Sequence, residues 1–564
     1  MVRSNGGRRW SAASMFAVAL WMVHGTAAAG EMVIPISGDI PQGGLDHFFV
    51  PFEVPEGIVE IEVRHEDDSA TNVLDWGLQG PDGFRGWGGG NSEPGVVGLQ
   101  AASRSYVPGP IPAGQWQVVV GKAQITQPGA YSIEIVLRGT ATLPPQTRTP
   151  YVHAEALAEG PGWYAGDFHV HSEDSGDARP PLSEIAIFAR ERGLDFVAIS
   201  DHNVHTAQDF FAQVQPEHPQ LLLMPSVEFT TYAGHANVVG ATQWVDHKIG
   251  QPGVTVADAI AAYHAQGALF TVNHPVLELG PLCIGCAWEH PVDGATIDAV
   301  EIATGGLEPF SAQFSDAAIA YWDDLCAAGH HVAALGGSDD HKAGVDLNQF
   351  QSPIGDATTL VYAQRLDVPS ILEGVRSGRT VVKLQGPDDP TLMFAALEEI
   401  DGDTIRATEV TLTAQVLGGM GQAIRLVHNG VAQPEQAIDA DPFEAQWSVL
   451  APEAGQDRYR VEVLVDGERR VVASHLWVEA GIGGDDGLDS SGDEGIGSDG
   501  DATGSATTGT GSGDSGSGAD GSDSGCGCVS APAGGRPWLL WLGPLLWAAR
   551  RRGRAAVGAR SSGG

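Results

Sequence analysis

Six histidines between Asp167 and His341 stand beside acidic or turn residues where predicted strands end. They occur in Gly166-Asp167-Phe168-His169-Val170-His171-Ser172, Ser200-Asp201-His202-Asn203, His235-Ala236-Asn237, Asn273-His274-Pro275 and Gly337-Ser338-Asp339-Asp340-His341, with Val227-Glu228-Phe229 among them. Imidazole nitrogens and carboxylate oxygens hold catalytic zinc, manganese or iron, and mixed sets of the two suit all three metals. One such segment means little. Their succession along one region makes a multi-metal hydrolytic site the leading expectation.

The surrounding pattern supplies the means to gather them. Pro180 and Pro181 open a predicted helix over 182–192 that Gly193 closes, and an apolar strand over 195–200 then runs into Asp201-His202. The cycle repeats: a helix over 256–266, Gly267, and a strand over 268–272 ending at Asn273-His274. It recurs with a helix over 316–328, Gly329 and a strand over 331–335, and with a helix over 371–377 before a strand over 380–382. Repeated helix-Gly-strand units predict a parallel sheet, most simply closed as a barrel, whose active site lies at the carboxyl ends of its strands. Every candidate ligand falls at such an end or on the loop after it.

His169-x-His171-Ser172 with Asp177 six residues on, Asp201-His202-Asn203, Glu228, His235, Asn273-His274-Pro275 and Asp339-x-His341 resemble the motifs of the PHP superfamily, the polymerase-and-histidinol-phosphatase metallohydrolases. The Gly-Asp-x-His-x-His-Ser opening brings the resemblance nearer to the CehA/McbA branch; it covers roughly residues 162–383. It implies a distorted (β/α)7 barrel. It also implies that His169 and His171 bind one metal with Glu228 and Asp339, that Asp177, His202 and His341 hold a second, and that Glu228 reaches towards a third completed by His235 and His274. Asp177 is the variable position of the pattern, and Asp174 lies in the same loop, so two or three divalent ions (zinc, manganese or iron) are expected. Asp201, His202 and Glu228 form the expected catalytic group, with Asp201 orienting His202 or a water. Arg179, His205 and Lys342 adjoin the motifs and are candidates to grip a substrate oxyanion, although each also reads as an ordinary loop residue. Glu301 has two readings as well: a carboxylate behind a ligand, or a buried strand residue.

The flanks read differently. Residues 30–145 alternate in short runs and predict a β-sandwich accessory domain, 146–161 a stiff linker, 162–385 the metallohydrolase barrel, and 386–480 a small immunoglobulin-like β-domain. Arg3, Arg8 and Arg9 precede an apolar stretch and Ala27-Ala28-Ala29, so 1–29 reads as a signal peptide. Residues 481–525 are a Gly/Ser/Asp tether. In 526–564, Cys526-Gly527-Cys528, an apolar Trp-edged segment and Arg550-Arg551-Arg552 together resemble a MYXO-CTERM sorting tail. That likeness implies export and sorting machinery as partners, at least transient membrane contact through the C-terminal segment, and a place at the cell surface or outer envelope.

A formal charge of -41 argues against nucleic acid as a constitutive partner and leaves a small-molecule substrate, even an anionic one, because a metal supplies local positive charge. Among the five cysteines, Cys283 and Cys286 read as a loop disulfide in an exported chain, ahead of half a zinc site. The expected activity is phosphoester hydrolysis. The alternatives are cleavage of a carboxylic ester, carbamate or amide, or a surface binding protein with a vestigial site.

Overall fold

Alternation of apolar and polar residues builds the first β-layers. Glu31–Asp39, Ala130–Arg138, Glu60–Asp67 and Gly95–Gly98 form one antiparallel sheet in that order, and His47–Val54, Gly114–Gln124, Val73–Gly80 and Gly83–Gly89 form another. Every second side chain, among them Ile61, Val63, Trp116, Val118, Ile133 and Ile135, enters the core that both sheets share. The computed structural model describes residues 30–69, 71–280, 283–305, 311–344, 352–396, 399–400 and 402–480. The expected signal peptide, tether and sorting tail lie outside these residues. Among the described residues, no helix is long and apolar enough to cross a membrane.

The region bearing the histidines comprises β1 (Glu159–Val170), α1 (Leu182–Glu191), β2 (Phe196–Ile199), β3 (Leu222–Pro225), β4 (Glu228–Thr231), β5 (Gly234–Val239), α2 (Val256–His264) and β6 (Leu269–Val272). It continues through β7 (Ala299–Thr304), α3 (Ser311–Ala327), β8 (Ala333–Gly337), β9 (Thr358–Arg365), α4 (Val368–Arg376) and β10 (Thr380–Lys383). α1 buries Leu182, Ile185, Ala186 and Ala189, the helical spacing of one apolar stripe. α4 starts earlier than its apolar pattern predicts, because the Asp367 carboxylate caps it by accepting from Ser370 N–H.

The strands differ from a ring of parallel members. β3-β2-β1-β9-β10 are neighbours in one sheet and β4-β5-β6-β7-β8 make another. β1, β2 and β3 run parallel, as do β6, β7 and β8, but β4–β5–β6 and β1–β9–β10 are antiparallel. For β4 and β5 the reason is local: they are joined by a turn too short for the crossover that parallel pairing requires. The two sheets meet at isolated parallel bridges, Val170↔Asp340 and His202↔Glu228. Gly337 permits one of these approaches, since a Cβ there would lie 2.4 Å from that of His169.

The C-terminal strands are continuous with this region rather than a separate bead. Glu468–Ala473 pairs with β10 through Val381↔Ala473 and Val382↔Val472, and Leu360 and Val381 share a core with Val461, Val463 and Val471. A second antiparallel layer, built on Thr391–Ala396, Glu409–Leu417 and Phe443–Leu450, covers that core.

Candidate metal centre

The twofold period of β1 sends Phe168 and Val170 into apolar cores and turns His169 and His171 the other way. His202 follows β2, Glu228 opens β4, and His274 follows β6. In the β4–β5 hairpin Thr230 pairs with His235, placing Glu228, two residues earlier, on the same face as that histidine. Asp339 and His341 follow β8. His274 and Asp339 have φ of 28° and 55°, a costly backbone region for such residues and one that clusters at functional sites.

Glu228 sits at the middle. Its Oε1 lies 3.3 Å from His169 Nε2, 3.3 Å from His235 Nδ1 and 3.6 Å from His274 Nε2, while Oε2 lies 2.7 Å from His202 Nδ1. Asp339 Oδ1 is 3.2 Å from His169 Nε2 and 3.1 Å from His171 Nε2. Asp177 Oδ2 is 3.2 Å from both His202 Nε2 and His341 Nε2. Four groups of potential ligand atoms result among the described residues: His169, His171 and Asp339; His169, Glu228 and His274; His171, Asp177, His202 and His341; and His235, His274 and Cys286, whose sulfur is held in a disulfide.

Each ring is fixed through another contact. His169 Nδ1 is 2.9 Å from Glu301 Oε2, His171 Nδ1 2.9 Å from Ser175 Oγ, and His202 Nδ1 2.7 Å from Thr230 Oγ1. His341 Nδ1 donates to the Asp339 carbonyl at 2.9 Å, His274 Nδ1 to the Cys286 carbonyl at 3.1 Å, and His235 Nε2 to the Ile284 carbonyl at 3.2 Å. Such contacts select the tautomer whose free lone pair faces an ion. Asn273 Nδ2 donates to Glu228 Oε1 at 2.9 Å and holds the central carboxylate. His169 Nε2 and His171 Nε2 are buried and have no hydrogen-bond partner, despite the carboxylates nearby. Buried lone pairs without donors, converging with carboxylates, fit divalent cations.

The electrostatics agree. Burial alone would lower the His169 and His202 pKa values, yet Asp339, Glu301 and Glu228 around the first, and Asp177 and Glu228 around the second, raise both well above the usual value. Asp177 overcomes burial to lift His341 to about 9. Burial would raise Glu228 and Asp177, but the surrounding imidazoles hold both carboxyls well below their ordinary range. His171 is pushed down to about 3 by burial and by His341 and His202. The cluster attracts positive charge.

Neighbouring residues part company at this point. Asp174 is engaged outside the histidine cluster: its Oδ1 accepts from Ser105 N–H at 2.9 Å and Thr206 Oγ1 at 3.0 Å. Asp201 is not gathered among the ligand atoms; it accepts from Ser172 N–H and Oγ, both at 2.7 Å, and burial lifts its pKa to about 7. It therefore fixes the turn after His171, where the sequence suggested contact with His202 or a water. Arg179 is 72% exposed and pairs with Glu93 at 2.7 Å, pointing to the sandwich instead of a substrate. His205 precedes the short helix Thr206–Phe210, and Lys342 donates its backbone N–H to Asp340. Cys283 and Cys286 are disulfide-bonded; although Cys286 lies near His235 and His274, its carbonyl is what engages a ring. Thr230, Ser175 and the 284–286 carbonyls escaped the sequence, since lone hydroxyls and backbone oxygens carry no spacing signal; Asn273 was visible as part of its motif, but its bond to Glu228 was not.

No family model matches the chain, and no curated protein matches it. Among solved structures, a two-domain protein containing a predicted PHP-like metal-dependent phosphoesterase from Bacteroides vulgatus is 17% identical, with a TM-score of 0.32, over 59% of this chain and 100% of that one. A CARDB domain from Pyrococcus furiosus is 16% identical, with a TM-score of 0.12, over 16% of this chain and 96% of that one.

Proposed function

We infer that the protein is a metal-dependent hydrolase acting on a small-molecule substrate, with phosphoesters the favoured class. The observation that carries this reading is the buried Glu228 carboxylate ringed by His169, His202, His235 and His274, beside two buried imidazole nitrogens without partners. His169, His171, Glu228 and Asp339 would hold one divalent ion, and Asp177, His202 and His341 another. His235 and His274, with Glu228, would complete a third. Bound ions supply Lewis acidity and an activated water. The protein's own part is orientation: Glu301, Thr230 and Ser175 fix ring direction, and Asn273 fixes Glu228.

The order of PHP-like motifs supports a distorted (β/α)7 barrel and the phosphoester preference, and the CehA/McbA likeness supports cleavage of a carboxylic ester, carbamate or amide. Export and surface attachment rest on the terminal sequence signals. The test measures metal content of the full chain by elemental analysis and assays p-nitrophenyl phosphate, bis-p-nitrophenyl phosphate and p-nitrophenyl acetate. His274→Ala and Asp339→Asn should lose metal and activity together. A metal-free parent, or variants as active as the parent, would overturn the reading.

A further inference from the structure

The loop that carries Asp177 does not stand on the strands alone. Arg104, in the N-terminal sandwich, donates through Nη1 to the carbonyls of Glu173 at 3.1 Å and Ala178 at 2.8 Å, bracketing the loop at both ends. Ser105 adds two bonds at its centre: its N–H donates to Asp174 Oδ1 at 2.9 Å and its hydroxyl to the Asp174 carbonyl at 2.6 Å. Ser105 is fully buried and has φ of 68°, so a strained residue makes the contact. Gly176 lies so close to the sandwich that a Cβ there would come within 2.6 Å of the Gly88 carbonyl.

We propose that the sandwich is part of the metal centre, with Arg104 and Ser105 as positioning residues that hold the 173–178 loop and thereby set Asp177 against His202 and His341. The inference rests on the metal-site reading above. Asp177 reaches both imidazoles at 3.2 Å from a loop of one short 3-10 turn, Glu173–Ser175, followed by Gly176 with φ of 91°. Such a segment has little stiffness of its own, and four hydrogen bonds from another β-layer supply it. Asp174, three residues from the ligand, is the handle by which Ser105 grips.

The test titrates the metal-stripped full chain with Zn²⁺ and with Mn²⁺ by calorimetry and native mass spectrometry. Asp177→Ala identifies the ion that depends on that carboxylate. Arg104→Ala and Asp174→Ala should weaken that same ion by about tenfold to a hundredfold and spare the others. Asp174→Asn, whose amide oxygen still accepts from Ser105, should restore most of the affinity. Adding Arg104→Ala to Asp177→Ala should cost nothing further. Parental affinity in Arg104→Ala and Asp174→Ala, or an equal loss at every ion, overturns the positioning role while the metal site stands. If Arg104→Ala does not fold, the Asp174 pair decides by the same criterion beside Thr206→Val, which removes the other donor to Asp174 Oδ1 and should spare the ion; a loss in Thr206→Val equal to that in Asp174→Ala overturns the sandwich's role. A parent that binds neither metal overturns both readings.

Discussion

Asp174 and Asp177 show how little a residue's type determines by itself. Both are carboxylates of one loop, yet one accepts from Ser105 and Thr206 while the other lies between His202 and His341. Glu301 is a comparable case: it stands behind His169, with its Oε2 on Nδ1 at 2.9 Å, and keeps Nε2 facing Glu228 and Asp339. Glu301→Gln removes the charge and keeps the shape, so metal affinity should fall about tenfold to a hundredfold, read by calorimetric titration. Arg179→Ala provides the contrast: an exposed side chain paired at the surface should leave metal affinity unchanged and stability within about 0.5 kcal/mol, checked by titration and urea unfolding. The motif residues were legible because each ligand lies beside an acidic or turn residue within a few positions along the chain. Of their supports, Glu301 could be read only as one of two alternatives, because the ring it meets, His169, lies 132 positions away, and Ser105 left no sign, because it reaches Asp174 across 69.

At the scale of elements, the loop closed by Cys283 and Cys286 does more than join β6 to β7. Its Ile284 carbonyl accepts from His235 and its Cys286 carbonyl from His274, so one short covalent ring aims both histidines that lie against Glu228 Oε1. Gly285, with φ of 76°, presses on the β4–β5 turn so closely that a Cβ would come within 2.6 Å of the Thr231 carbonyl. Reduction of the disulfide, or a paired Cys283→Ser and Cys286→Ser change, should weaken the ion proposed for His235 and His274 about tenfold and leave the one proposed for Asp177 bound, as titration in the presence and absence of a dithiol would measure. Loss of both ions together would refute this division. Most helices and strands here followed from apolar period and capping, but pairing direction did not: the short, mixed segments of β4 and β5 carry no strong pattern, and the length of the turn between them forces an antiparallel pair. The bond between β10 and Glu468–Ala473 was likewise hidden, since an edge strand's partner leaves no mark in its own sequence.

For the whole molecule, the sandwich and the C-terminal layer are joined to the strands of the histidine cluster through buried histidines. His475 stacks on Trp322 of α3 at 4.2 Å and lies 3.4 Å from Asp323, whose carboxyl also takes Arg460 at 2.6 Å. On the other side His47 of the sandwich stacks on Tyr232 at 5.4 Å and meets His247 edge-on at 5.7 Å. Burial first, then repulsion from Lys248 and Lys122 against the opposing pull of Asp246, lowers the His47 pKa to about 4. A histidine neutral in the native state but protonated when unfolded contributes its full stability above pH 6.5. As pH falls from 6.5 towards 4 the unfolded chain binds the proton first and stability declines, by at most about 3 kcal/mol for this group; below 4 the native ring protonates as well and the slope ends. Neither ring nitrogen of His47 has a hydrogen-bond partner, so an aromatic ring of similar shape sacrifices no bond. His47→Phe should therefore raise stability by about 1 kcal/mol at pH 7.5 and flatten the decline between pH 6.5 and 4, as urea unfolding across that range would show. An undiminished slope in His47→Phe would place the acid sensitivity elsewhere, first at the adjoining His247, which burial and then the Lys248 charge hold well below the usual value, or at His475, which burial and Arg460 lower to about 4 against Asp323.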